Sequence, residues 1–294
     1  MAMRLLKYGI GIFMPEAPEG FDPSGLLEVA PKSFDIPAGE DAGLIVLEAP
    51  AGRASLRIAM GTGSRARFVE MTRSARDLRV ELVLGEGATA EYLSVAGESA
   101  FESIRREAHL AKGARLKWID ACLSPEFSRT SSVTFLEGEG AEVASVGLLI
   151  GSGRQRYDAW HEIRHLAPRT VSDLKVRALL SGGAKAIVRG LVRVEKDAPG
   201  CSGFQREETL LLSEDAEIDA VPNLEIENQD VKCGHAASIG RLDKEKLFYL
   251  MSRGLDRAAA ERLLIDAFIE PFLAAVTDDA LRASLAETIA AKLA

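Results

Sequence analysis

A short motif that ends in alanine recurs along this chain and constrains its fold more than any other feature. It appears as Gly39-Glu-Asp-Ala42, Ala51-Gly-Arg-Ala54, Gly85-Glu-Gly-Ala88, Ala111-Lys-Gly-Ala114, Gly138-Glu-Gly-Ala141, Ser181-Gly-Gly-Ala184 and Ser213-Glu-Asp-Ala216. Most copies follow an apolar run such as Glu81-Leu-Val-Leu84 or Thr209-Leu-Leu-Leu212. Most precede an alternation such as Ala184-Lys-Ala-Ile-Val-Arg-Gly-Leu-Val-Arg-Val194. The pattern predicts strand, tight turn, strand: glycine or aspartate takes the positive φ of the turn, and alternation sends every second side chain into a core. Repeated, such units build a β-solenoid, although the uneven spacing of the copies also fits a β-sandwich of similar hairpins.

Composition agrees with many turns and thin strands. The 294 residues include 26 glycines, and aromatic residues make up only 6 %. The net charge of −8 argues against a nucleic-acid partner, which needs a basic stripe for phosphates. Arg105-Arg106 and the stretch Lys112 to Lys117 read as a solvated charged face. No apolar run approaches the roughly 20 residues of a membrane helix, so no membrane association is expected. Met1 to Met14 carries only Arg4 and Lys7 and has no small-residue cleavage site before Pro15, so it is not read as a signal peptide. Cys122, Cys201 and Cys233 lie too far apart for a secreted disulfide framework, and the expected compartment is the reducing cytoplasm.

After Leu242 the chain reads as helices, with a boundary placed at residues 240–243 and two units, 1–242 and 243–294. Asp243 is a good N-cap, and Leu247, Leu250 and Met251 share a face. Gly254 stands at C′, with Leu250 and Leu255 as the apolar pair of a Schellman end. Asp256 caps a second helix with Leu263, Leu264, Ala267 and Phe268 on one stripe, to be kinked or ended by Pro271. Thr277 is the expected cap of a third, carrying Leu281, Leu285 and Ile289.

The segment Pro222-Asn-Leu-Glu-Ile-Glu-Asn-Gln-Asp-Val-Lys-Cys-Gly-His235-Ala-Ala-Ser-Ile-Gly240 resembles a stretch of the SufD family. It runs into Leu242-Asp-Lys-Glu-Lys-Leu-Phe-Tyr-Leu-Met-Ser-Arg-Gly254, which is similar to the signature shared by SufB and SufD. Phe204-Gln205, Leu210-Leu-Leu-Ser213 and His165-Leu-Ala-Pro-Arg-Thr170 also look like the family, so the resemblance covers residues 155–275. It implies a mainly β fold, a right-handed parallel β-helix with a C-terminal α-helical subdomain. It implies a non-enzymatic scaffold of cytoplasmic iron–sulfur cluster assembly. The implied partners are a SufC-like ATPase, bound through the C-terminal helices, and a SufB-like paralogue or a second copy, met at the end of the β-core. On this reading the ATPase face holds Leu247, Phe248, Tyr249, Arg253, Gly254, Phe268 and Phe272, and a chain ending at Asp243 keeps its β-core folded. Where SufB carries a cysteine, this chain has Glu207, and where SufB flanks its histidine with glutamates, this chain has Gly234 and Ala236. The lean is therefore towards SufD, whose pattern retains Cys233 and His235.

Two apart in a strand, Cys233 and His235 face one side and offer a thiolate and an imidazole to a common point. Both donors suit a transient iron–sulfur cluster, but two ligands do not hold one, so a partner chain must share it. Outside the resemblance the same pair reads as a small buried residue and a hydrogen-bonded histidine. A competing motif is His161-Glu162-Ile-Arg-His165, which on a helix would be a zinc hydrolase site with Glu162 as base. Pro168 and Thr170-Val171 would end such a helix within a turn, and in a strand His161, Ile163 and His165 share a face of the core. Acidic pairs such as Glu207-Glu208 read as charged surface turns rather than as a sugar-cleaving pair.

Overall fold

A computed structural model describes residues 31–48, 51–72, 76–97, 99, 101–123 and 125–293. The reading of residues 1–14 therefore lies outside the described residues. Among these, the chain forms a β-solenoid of two parallel sheets followed by three helices. One sheet takes the odd strands, β1 (Lys32–Ile36), β3 (Gly52–Met60), β5 (Arg76–Leu84), β7 (Phe101–Leu110), β9 (Phe127–Leu136), β11 (Arg156–His165), β13 (Lys185–Val194) and β15 (Glu217–Ile226). The other takes the even strands, β2 (Asp41–Glu48), β4 (Arg65–Thr72), β6 (Thr89–Ala96), β8 (Arg115–Cys122), β10 (Glu142–Gly151), β12 (Val171–Leu180), β14 (Cys201–Leu211) and β16 (Val231–Arg241). The chain thus crosses from sheet to sheet at every turn and never doubles back, which excludes the sandwich of hairpins. Gly52 lies opposite Arg76 in an early rung, whereas Lys185 lies opposite Glu217 in a late one. Later rungs take up more chain, and the copies fall at both corners of the solenoid, which together account for the uneven spacing of the motif.

Copies of the motif at Gly85, Ala111 and Gly138 turn the chain from the odd to the even sheet, and those at Ser181 and Ser213 turn it from the even to the odd. The amides of Ala88, Ala114 and Ala141 bond back to the carbonyls of Gly85, Ala111 and Gly138 at 3.0–3.1 Å, and the third residue of each turn is a glycine with φ of 63° to 69°. The amide of the next residue in one rung then bonds to the alanine carbonyl of the rung before, as Arg115 does to Ala88 and Glu142 to Ala114. Ser64, Ala88, Ala114, Ala141, Thr170 and Cys201 therefore stack as one buried column of small side chains. A Cβ at Gly138 would stand 1.9 Å from the Lys112 nitrogen, so this corner admits no larger residue there. The copy at Ala51 to Ala54 is different: its glycine opens β3, just after the crossing from the even to the odd sheet.

The interior is apolar along most of its length, from Ile58 and Leu82 through Trp118 to Val188. Outside, the even sheet is covered by helices α2 (Arg257–Leu273) and α3 (Asp279–Lys292). Ile265, Ile269, Phe272, Val276, Leu285 and Ile289 pack onto Val69, Leu93, Ile119, Leu148, Ile150 and Leu179. Buried on both faces, a strand such as β10 loses its alternation and reads as the continuous run Leu148-Leu149-Ile150. Each fully buried side chain of this size contributes about 1.5–3 kcal/mol. A chain ending at Asp243 would bare this apolar face.

The helix ends follow the caps closely. Asp243 accepts from the amides of Glu245 and Lys246 ahead of α1 (Lys244–Ser252), and Asp256 accepts from that of Ala259. Leu255 and Gly254 donate to the carbonyls of Leu250 and Met251, with Gly254 at φ 98°, which is the Schellman arrangement. Pro271 sits in the last turn of α2, which ends at Leu273. Two details differ. Asp278, not Thr277, caps α3, while the Thr277 hydroxyl bonds to Glu91. The buried stripe of α2 is Ala260, Ile265, Ile269 and Phe272, a rotation that leaves Leu263 exposed, because the helix meets the sheet on that side.

Candidate functional site at the open end of the solenoid

β16 is the last strand of its sheet and pairs only with β14. Cys233 stands opposite Gly203 and His235 opposite Gln205, so the two donors share the inward side of an edge strand. Cys233 packs against Val194, Ala198 and Cys201, and burial raises its thiol above the ordinary value despite the Gly203 amide. A thiol so raised keeps its proton at neutral pH. His235 is exposed, with its Nδ1 3.4 Å from Gln205 Nε2. Among the described residues no three His, Cys, Asp or Glu side chains converge as ligands. At this end the described residues bring together a thiol and an imidazole, Cys233 and His235.

Beneath this pair lies a residue taken from the sequence as surface charge. Glu207 points inward from β14 and is 2 % exposed, and neither carboxyl oxygen has a partner. Burial pushes its carboxyl up to about 7. The signal for it was present: Gln205, Glu207 and Thr209 put three polar residues on successive inward positions, and Gly190 interrupts the strand opposite. Arg106 is a second correction. It lies inside the solenoid between the Tyr92 and Trp118 rings, paired with Asp120, and not on a solvated face.

The His-Glu-x-x-His motif lies in β11, and its two ends face the interior while Glu162 faces out. His165 is fully buried, with Nδ1 and Nε2 held by the Thr170 and Ser172 hydroxyls at 2.7 and 2.8 Å, and burial holds it down at about 4. Glu162 bonds to Trp160 and Arg164. The helix that a zinc hydrolase needs is absent here, the proposed base is turned away, and the zinc reading fails.

The helical face divides. Phe248 and Tyr249 are 75 % and 54 % exposed, with Met251 and Leu263 also open, and Arg253 stacks on the Tyr249 ring at 5.2 Å. Leu247, Phe268 and Phe272 turn the other way. Phe272 is fully buried, Phe268 lies under Arg177 at 5.1 Å, and Leu247 is buried as well. In the folded chain these three pack the tail, Leu247 and Phe272 buried and Phe268 half-buried. Among the described residues no helix is long and apolar enough to cross a membrane.

Residues 49–268 match the family model described as SUF system FeS cluster assembly, SufBD core domain. The iron–sulfur cluster assembly protein SufB of Bacillus subtilis (strain 168) is 27 % identical over 206 residues, 69 % of this chain and 44 % of that protein. An iron–sulfur cluster assembly SufBD family protein of Staphylococcus epidermidis (strain ATCC 12228) matches with the same identity and the same shares. The matched region thus spans less than half the length of these relatives. With the matched residues covering nearly every strand of the solenoid, this chain belongs to the SufBD family.

Proposed function

We propose that the chain is a scaffold subunit of a Suf-type iron–sulfur cluster assembly complex. The observation that supports this most is the incomplete ligand pair: Cys233 and His235 stand on the inward side of an edge strand whose free side has no neighbour among the described residues. A SufB/SufD-type partner, or a second copy, would extend the solenoid there and bring the remaining ligands. The cluster is cargo, held transiently by both chains. Iron accepts thiolate and imidazole together, so the donor set suits it.

The exposed Phe248, Tyr249, Arg253 and Gly254 form the surface proposed for a SufC-type ATPase. Co-purification with the cognate ATPase tests this. Because removing the tail would bare the sheet, the variant is Phe248→Asp with Tyr249→Asp, which leaves the packed side of the helices intact. Loss of the ATPase from a folded variant is the expected result. Undiminished binding would refute that face as the docking site.

A further inference from the structure

Gln205 joins the proposed ligand His235 to the buried Glu207. A Cβ at Gly190 would stand 2.3 Å from Gln205 Oε1 and 3.1 Å from Glu207 Oε1, so both oxygens converge on the notch left by a residue with no side chain. Gln205, like Glu207, is 2 % exposed, and its Oε1 has no donor. The other end of the same amide is committed: Nε2 donates to the Asn223 carbonyl at 2.8 Å and faces His235 Nδ1 at 3.4 Å. An amide nitrogen only donates, so Nδ1 has to present its lone pair, and the proton of the neutral ring sits on Nε2. In that tautomer the outward nitrogen of His235 has no lone pair to give a metal.

Turning the amide over reverses these roles. Oε1 would accept from Nδ1–H, as the second nitrogen of a metal-bound histidine commonly requires, and Nε2 of the ring would be free. The amide nitrogen would then donate into the notch, to a Glu207 carboxylate that now lacks any donor. The Asn223 carbonyl loses its donor and faces Oε1 instead, a cost that donation to the Glu207 carboxylate has to offset. We propose that Gln205 is a positioning residue for His235, and that Glu207, through which way it turns the Gln205 amide, decides whether His235 can take a metal.

This rests on Cys233 and His235 being the ligand pair. In the closed form Glu207 keeps its proton and shares it with Gln205 Oε1. In the open form that proton goes to solvent and the ring proton moves from Nε2 to Nδ1. Net, one proton leaves, besides the one Cys233 loses on binding, and no electron moves. By register Glu207 is flanked by Val176 on β12 and Ala237 on β16, with Gly190 across the interior. The titratable neighbours on that interior face are His161 on β11, opposite Gly190, and His235 through Gln205. Burial alone sets the acidity of Glu207, and it places both forms within reach near neutral pH.

The test reads the His235 tautomer in the metal-free full chain by nitrogen-15 NMR, and cobalt(II) affinity separately. Above neutral pH the wild type should show Nδ1–H. Glu207→Gln, a neutral amide that can donate to Gln205 Oε1 and has no charge to draw Nε2 away from Asn223, should show Nε2–H and bind cobalt(II) about tenfold more weakly. Exchanging the two groups, Gln205→Glu with Glu207→Gln, places an acceptor towards Nδ1 and should restore both readouts, which a merely structural role would not. An unchanged tautomer in Glu207→Gln overturns the proposal whatever the metal does. A cobalt(II) spectrum indifferent to Cys233→Ser and His235→Ala would instead remove the ligand reading, and the tautomer would still judge Gln205.

Discussion

Inside the solenoid, Arg76 donates to Glu102 Oε1 through Nη2 at 2.7 Å and Nε at 3.1 Å, and both side chains are 1 % exposed. The same guanidinium reaches Glu70, which also accepts from the Tyr92 hydroxyl. Burial pushes the Glu102 carboxyl up, against the pull of Arg76. Replacing the cation by an apolar side chain would leave two carboxylates facing each other without water. Arg76→Met should therefore cost about 3–5 kcal/mol in urea unfolding. Adding Glu70→Gln and Glu102→Gln should recover part of that loss, because neutral amides remove the uncompensated charge. A loss below about 1 kcal/mol for the single change would mean that water enters the interior there.

Arg169 is the one non-glycine residue with positive φ among the described residues, at 58°, and it fills the third position of a corner where neighbouring rungs use glycine. A side chain pays about 1 kcal/mol or more for that conformation. Its ion pair with Glu139 is exposed and contributes little in return. Arg169→Gly should raise stability by about 0.5–1 kcal/mol and leave the fold unchanged, as read by the urea midpoint. A fall in the midpoint would show that the Glu139 pair outweighs the strain.

Phe272 tests how firmly the tail belongs to the solenoid. It is fully buried between α2 and the outer face of the even sheet, in one cluster with Ile119 and Leu148. Phe272→Ala should cost about 3–5 kcal/mol and lower a single cooperative transition. Phe248→Ala, at an exposed site on α1, should change stability by no more than about 0.5 kcal/mol. Two separate transitions in the Phe272 variant would show that the helices unfold independently.

Much of this was legible before any coordinates. Alternation, turn glycines and caps are local signals, and they placed the corners at Ala88, Ala114 and Ala141 and the Schellman end at Gly254. The family was legible from residues 222–254 because that stretch is long. What the chain hid depends on two elements meeting. Arg106 and Glu207 sit at inward positions of ordinary alternation, and their charge argued for the surface until the opposite sheet supplied Asp120 in one case and the space at Gly190 in the other. The α2 stripe was missed for a similar reason: Leu263 and Ile265 are equally apolar, and only the position of the sheet decides which is buried.

Glu207 also gives the fold a signature in pH. Its folded acidity is raised to about 7, whereas in the unfolded chain it has the ordinary glutamate value. Below that ordinary value both states hold the proton and the site costs nothing. Between the two values the folded state alone keeps the proton, so stability falls as pH rises. Above about pH 7 both states are ionised and the loss is complete. Donation from a turned Gln205 would offset part of it, leaving a loss of about 2 kcal/mol. His165 acts in the opposite sense on the acid side: burial holds it down at about 4, so stability falls as pH drops below the ordinary histidine value, where the unfolded chain alone takes the proton, and the loss is complete below about 4. The comparison is therefore between variants at each pH. The urea midpoint of the wild type should fall relative to that of Glu207→Gln from about pH 5 to pH 8. Parallel curves for the two proteins would mean that Glu207 is ionised throughout, with a donor beside it in solution.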